Sequence, residues 1–357
     1  MCSIPASCSR RGVSCRPAAN DTGEGNAAAT CQCIPGARHQ CAPHETDRRG
    51  QGEMTTQRRV GVLGTGIMGA PIARRLAAAG YAVSAWNRSR DKLTPLADHG
   101  IRLAATPAEA ATVDTLIVML SSGPICDEVL LGADGVIAAM PAGSQLIVMS
   151  SIPVATARGQ AEAAAARGID YLDAPVSGGE RGAIDGTLAI MVGGEAAAFE
   201  TSRELLSHLG RPTHVGPAGC GELAKLANQM IVANTLATVA EALLLVERGG
   251  ADPAQVRQAL LGGFADSTIL QQHGERMLAG DFVPGGPAKW QHKDTQTALA
   301  VATELGLSLP LSQRADALFG AMLEQGDGDL DHSGIIRELR RHNALPVDGP
   351  AVNGKPA

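Results

Sequence analysis

The residues able to do chemistry lie in three short stretches. Gly64-Thr65-Gly66-Ile67-Met68-Gly69 sits between an apolar run and a helical pattern. Bare backbone N–H groups at the start of a helix attract phosphate. Asp173-Ala174-Pro175-Val176-Ser177-Gly178-Gly179 ends an apolar stretch in a turn that places several N–H groups beside the Ser177 hydroxyl. A concave set of donors without bulky side chains suits a carboxylate or a phosphate, and Gly178 and Gly179 let it come close. Taken alone, such a sequence is more often merely a turn. Third, Lys225 and Asn228 stand three apart in a long apolar helical pattern and share one helix face. An ammonium beside an amide reads either as a reactive pair or as a lysine snorkelling to the surface.

The elements that must position these groups follow from periodicity. Val60 to Leu63 reads as a buried strand, the glycine turn follows, and Ala70 to Ala79 reads as a helix ending at Gly80. In a strand–turn–helix setting Gly64 allows the tight turn, Gly66 the approach of a pyrophosphate, and Gly69 close packing of helix on strand. The second strand, 82–86, ends in Asn87-Arg88-Ser89. A site for NAD usually places a carboxylate at this tip for the ribose 2′-hydroxyl. A guanidinium with amide and hydroxyl neighbours binds a 2′-phosphate instead, so NADP(H) is the favoured cofactor and NAD(H) the alternative. Further strands are expected at 115–120, 145–149, 169–173, 188–194 and 213–216. Their carboxyl ends nominate Leu120, Ser121 and Ser151 either for the cofactor or as helix caps. The fold class expected is α/β, a Rossmann-type doubly wound sheet over 59–217. An all-α domain over 218–342 and a flexible tail over 343–357 follow it.

Composition narrows the partners. The 357 residues are 45% hydrophobic and 2% aromatic, with net charge −6. Nothing here favours nucleic acid or an acidic membrane surface, and no apolar run is expected to reach the ~20 residues that span a bilayer. The protein is expected to be soluble and cytoplasmic, working on small molecules. Six of the eight cysteines (Cys2, Cys8, Cys15, Cys31, Cys33 and Cys41) precede the first strand. Cys31 and Cys33 are too close for the usual zinc spacing, and no secretory apolar region precedes them. Residues 1–53 are therefore read as disordered or not translated, with Met54 as the start. At the other end Asp327, Asp329, Asp331 and Glu338 imitate a calcium loop. His332 stands where the sharp turn needs glycine, so this segment is read as a solvated turn and no metal is expected.

Four stations in order resemble one family. Gly64 to Gly69, Asp173 to Gly179, the glycines at 216, 219 and 221 with Lys225, Asn228 and Gln229, and Lys293-Asp294 are similar to the β-hydroxyacid dehydrogenases over residues 59 to about 342. The resemblance implies that Lys225 is the general acid/base and that Asn228 helps orient substrate. It further implies that Ser177 with the Gly178 and Gly179 N–H groups clamps a carboxylate, and that Lys293, supported by Asp294, lies over the nicotinamide. Gln229 stands where many relatives carry asparagine. His292 is not used as a base in the family. Residues 173–194, 225–233 and 262–270 are most similar to the branch that reduces tartronate semialdehyde. Segments 86–89 and 119–121 are more similar to branches that reduce glyoxylate and succinic semialdehyde with NADPH. The activity implied is NADPH-dependent reduction of a small carboxylated aldehyde. Tartronate semialdehyde to glycerate stands first, and glyoxylate or succinic semialdehyde next. The alternatives are an NAD-dependent 3-hydroxyisobutyrate-type dehydrogenase and a non-catalytic dinucleotide-binding module. Relatives assemble through the helical domain, so a homodimer or homotetramer is expected.

Overall fold

The computed structural model describes residues 57–347 except Asp134; the expectations for residues 1–53 and for 348–357 lie outside the described residues. Among the described residues nine strands form one sheet: β1 Arg59–Leu63, β2 Ala82–Trp86, β3 Arg102–Leu103, β4 Thr115–Val118, β5 Gln145–Val148, β6 Asp170–Asp173, β7 Val176–Ser177, β8 Leu188–Gly194 and β9 Gly210–Gly216. The order is β3-β2-β1-β4-β5-β6-β8-β7, with β9 also paired to β8. The first six strands run parallel. Strand β8 turns antiparallel to β6 and β7, and β9 is parallel to β8. The 3-2-1-4-5-6 order reverses direction between β1 and β4, and that crevice is where such sheets bind dinucleotides.

Alternation along the strands builds two cores. Val60, Val62 and Ile117 face one side with Ile72 and Leu76, while Leu63, Leu116 and Val118 face the other with Cys126 and Leu130. The helices on the sheet are α1 Gly69–Ala78, α2 Pro107–Ala111, α3 Gly123–Leu131, α4 Val136–Ala139, α5 Val154–Ala165, α6 Gly179–Asp185 and α7 Ala196–Ser207. The strands expected at 60–63, 82–86, 115–120, 145–149 and 188–194 are present within two residues at each end. The two-residue strands β3 and β7 were not expected, and β9 begins at Gly210 rather than Thr213.

After the sheet come only helices: α8 Cys220–Arg248, α9 Pro253–Leu260, α10 Thr268–Ala279, α11 Ala288–Glu304, α12 Pro310–Glu324 and α13 Ile335–His342, with one short 3-10 turn before α13. Leu236, Ala240 and Leu243 of α8 pack with Phe319, Met322, Ile335 and Leu339 as a separate core. One expectation needs correcting here. By length and composition α8 is long and apolar enough to cross a membrane, with mean hydropathy 1.6 over its most apolar stretch. The physical reason is that α8 packs under α10 to α13 on one side while other apolar positions, Ile231 and Leu245 among them, face outward, so that 39% of that stretch is buried. Residues 343–345, read as the start of a tail, fold back on α13: the Asn343, Ala344 and Leu345 N–H groups donate to its last turns.

Candidate active site

The glycine turn closes the crevice between β1 and α1. Gly64 has φ +92° and its N–H donates to Trp86 O at 2.8 Å, a conformation that glycine adopts without strain. A Cβ on Gly69 would lie 1.8 Å from Gly64 O, so only glycine lets α1 sit this close to the turn. Around Gly66 nothing lies within 4 Å of such a Cβ, leaving the backbone open to a ligand. A groove of about 470 Å³ brings together Gly64, Gly66, Ile67, Met68, Gly69, Asn87, Arg88, Ser89, Leu120 and Ser121. Sequence reading missed Lys92 and Glu128, which also line it. Lys92 had a signal: with Arg90 it continues a run of cations at every second residue from Arg88.

Within this groove the polar groups divide. Asn87 is committed to the fold: its Oδ1 accepts from Thr65 N at 3.0 Å and its Nδ2 donates to Ser89 O at 2.9 Å, which ties the tip of β2 to the glycine turn. Arg88 is exposed, and neither its guanidinium nor the Lys92 ammonium has a partner among the described residues. Ser150 is likewise structural, accepting from Leu120 N at 2.7 Å. Among the described residues Ser151 makes no side-chain bond, and neither it nor Lys293 lines the groove. Open backbone at Gly66 and two unpaired cations at the β2 tip fit the phosphates of a dinucleotide.

The second half of the site hangs on Asp173. Fully buried at the end of β6, its carboxylate accepts from Gly219 N at 2.8 Å and Glu222 N at 2.9 Å. It thereby caps α8, whose own N-cap residue, Gly219 at φ +89°, supplies no side chain. Sequence reading gave Asp173 no such role, because its partners lie more than forty residues on. The cap is a close junction, since a Cβ on Gly221 would lie 2.4 Å from Asp173 O.

So held, α8 brings Lys225 to β7. Its Nζ donates to Val176 O at 2.9 Å, one residue from Ser177. Gly178 and Gly179 have φ +135° and +61°, turning the chain into α6. Burial pulls the Lys225 ammonium below the usual lysine pKa; Asp294 and Glu222 oppose that fall, and Lys293 adds to it. Asp294 on α11 links Lys293 to Gln229: it pairs with Lys293 Nζ at 2.9 Å and accepts from Gln229 Nε2 at 2.8 Å. Asn228 Nδ2 donates to Gln229 Oε1 at 2.9 Å. Glu222, one turn before Lys225, is buried, and among the described residues its carboxyl oxygens make no hydrogen bond of normal geometry, with the Ile152 N–H standing nearby. Burial pushes its pKa well above the usual carboxylate range, while the Lys225 and Lys293 charges pull it back down.

The decoys resolve differently. His292 faces α12, its Nδ1 3.0 Å from Asp316, and takes no part in the Lys293 cluster. The acidic segment at 327–338 is not the solvated turn expected. Asp331 is fully buried and accepts from Gly285 N, Gly286 N, Ser333 N and Ser333 Oγ, with Arg276 at 3.1 Å. Asp327 pairs with Arg337 and Arg341. Aspartates whose oxygens are taken by donors lie inside the fold, so this segment is a packing hub that seats the start of α11. His273 and His332 stand against Asp331 as a three-residue cluster, but its carboxylate already carries these donors and the Arg276 charge.

Two family models match in tandem. Residues 59–220 match the NAD binding domain of 6-phosphogluconate dehydrogenase, and residues 219–339 match the NAD-binding domain of NADP-dependent 3-hydroxyisobutyrate dehydrogenase. The chain is 43% identical over 288 residues to 2-hydroxy-3-oxopropionate reductase of Escherichia coli K12, an alignment covering 79% of this chain and 97% of that one. The chain belongs to the β-hydroxyacid dehydrogenase family. It is an NAD(P)-dependent oxidoreductase of the kind that acts on CH–OH groups. Among solved structures it resembles Mycobacterium tuberculosis 3-hydroxyisobutyrate dehydrogenase with L-serine. That match has TM-score 0.73 and 30% identity, and covers 80% of this chain and 99% of that one. It also resembles Psf3 in complex with NADP+ and 2-OPP, at TM-score 0.71 and 26% identity, covering 78% and 99%.

Proposed function

We propose that this member of the family reduces a small carboxylated aldehyde with NADPH, tartronate semialdehyde to glycerate first and glyoxylate or succinic semialdehyde next. The observation that carries the reading is the Lys225 ammonium. It is mostly buried and bonded to Val176 O, one residue from the donor-rich Ser177-Gly178-Gly179 turn. The bound dinucleotide supplies the hydride. The turn holds the substrate carboxylate, and Lys225 gives its proton to the aldehyde oxygen as negative charge develops there. Asn228 orients the substrate. Lys293, braced by Asp294, stands on α11 outside the glycine groove and would reach toward the nicotinamide from the Lys225 side.

NADPH is favoured over NADH by the unpaired Arg88 and Lys92 at the β2 tip, and a structural neighbour holds NADP+. The substrate order is supported by the 43% identical relative, named for 2-hydroxy-3-oxopropionate. Residues 59–217 would carry the cofactor, and 218–342 substrate contacts and assembly. A soluble cytoplasmic homodimer or homotetramer fits the exposed Ile231 and Leu245 on α8 and Leu305, Leu307 and Leu311 at the α11–α12 junction. The test is a panel of these aldehydes assayed with NADPH and NADH. The expected result is the highest kcat/KM for tartronate semialdehyde with NADPH. Turnover of 3-hydroxyisobutyrate with NAD+ at a higher kcat/KM than any aldehyde reaches would replace this reading with the dehydrogenase one.

A further inference from the structure

Gln229, whose place in the chemistry the sequence left open, sits at the centre of a directional hydrogen-bond chain. Asp294, ion-paired with Lys293 at 2.9 Å, meets its neighbours as an acceptor. It therefore takes the Nε2 end of Gln229, at 2.8 Å. The Oε1 end must then face Asn228, which meets it with its Nδ2 at 2.9 Å. Gln291 locks the same orientation from α11: its Nε2 donates to the backbone oxygen of Gln229 at 3.1 Å, leaving its own Oε1 toward Gln229 Nε2 at 3.5 Å. Each amide in the series has one polarity, set by the Asp294 carboxylate at its far end.

The consequence falls on Asn228 Oδ1. No group among the described residues donates to it, and it shares the helix face of Lys225. A substrate carboxylate and a carbonyl oxygen are both acceptors and cannot satisfy it. On a small carboxylated aldehyde only a hydroxyl can.

We propose that Gln229 is a positioning residue that holds Asn228 with its Oδ1 toward the substrate, and so selects aldehydes carrying a hydroxyl beside the reacting carbon. This rests on the aldehyde reductase reading above and goes further by assigning the discrimination to one amide. Glyoxylate and succinic semialdehyde lack that hydroxyl, so they rank below tartronate semialdehyde for a stated reason. A site that leaves a polar group unpaired rejects the analogue lacking its partner.

The experiment compares kcat/KM, with NADPH, for tartronate semialdehyde and for 3-oxopropanoate, the same molecule without the 2-hydroxyl. The wild type should prefer the hydroxylated aldehyde by at least about ten-fold, and Gln229→Leu should cut that ratio by about ten-fold. Gln229→Met, similar in length to glutamine, should do the same and serves where leucine misfolds. Gln229→Glu should retain the ratio. Beside Asp294 the introduced carboxyl shares one proton, donates it to Asp294 and still accepts from Asn228. A wild-type ratio near one, an unchanged ratio in the leucine or methionine variant, or an equal loss for both aldehydes would overturn the assignment while leaving the reductase reading intact. If the wild type reduced neither aldehyde, the functional reading would fall and this inference with it.

Discussion

In the cofactor groove the contributing groups come from the glycine turn, the ends of β2 and β4 and the helix α3 that follows β4, whereas the Lys225 face draws on β6, β7, α8 and α11 at once. The groove works through backbone: Gly64 by its φ, Gly69 by lacking a Cβ, Gly66 by leaving space. The Lys225 face works through side chains whose partners lie far off in the chain, as with Asp173 to Gly219 and Gln229 to Asp294. The first is set by local backbone geometry, with the Arg88 and Lys92 side chains at its edge. The second exists only when helix and sheet are docked, so chemistry should be separable from cofactor binding.

The most direct attempt to break this separation is Lys225→Ala. Loss of a positioned general acid should lower kcat for aldehyde reduction by about 10²- to 10⁴-fold. NADPH affinity, read by quenching or enhancement of its fluorescence, should stay within about two-fold. Turnover that survives would remove Lys225 from the mechanism. A parallel loss of NADPH binding would show instead that the two regions are one.

The same contrast explains what could be read from the residues alone. Gly64 to Gly69, the β2 tip and the helical run holding Lys225 are local patterns, each complete within about a dozen residues, and periodicity and glycine spacing report them. The cap that Asp173 places on α8 has no local signature, since an aspartate before Ala-Pro is equally at home in a turn. Asp331 and Asp327 were misjudged for the same reason. Their spacing imitates a loop of ligands, but their partners are Gly285, Gly286, Arg276, Arg337 and Arg341, which only folding brings near. Glu222 shows the limit most clearly: a carboxyl in an apolar helix gives no notice that it will be buried with so little hydrogen bonding among the described residues.

Arg88→Ala should act on the groove alone. A guanidinium free of other partners and facing a 2′-phosphate makes charge-assisted bonds. Its loss should raise the NADPH KM by about ten-fold or more, with NADH kinetics and the kcat at saturating NADPH little changed. Lys92 is a second cation at the same tip, so some preference for NADPH should remain until both are removed. Equal losses with NADPH and NADH would mean that Arg88 serves the fold and not the phosphate.

The smallest expected effect concerns the acidity of Lys225, which depends on groups from two helices. Burial lowers its pKa, while the Asp294 and Glu222 carboxyls raise it and Lys293 lowers it. For reduction the ammonium must be present, so kcat/KM should fall as pH rises through a pKa below the ~10.4 of free lysine. Asp294→Asn removes a carboxylate that favours the charged form, so the alkaline limb should move to lower pH, by about one unit or less. The NADPH dissociation constant measured across the same range should not follow that shift, because neither Asp294 nor Lys225 lines the glycine groove. A limb that stayed in place would mean that Asp294 serves Gln229 and Lys293 without tuning the proton, and the Lys225 face would then be assembled by several elements but tuned by burial alone.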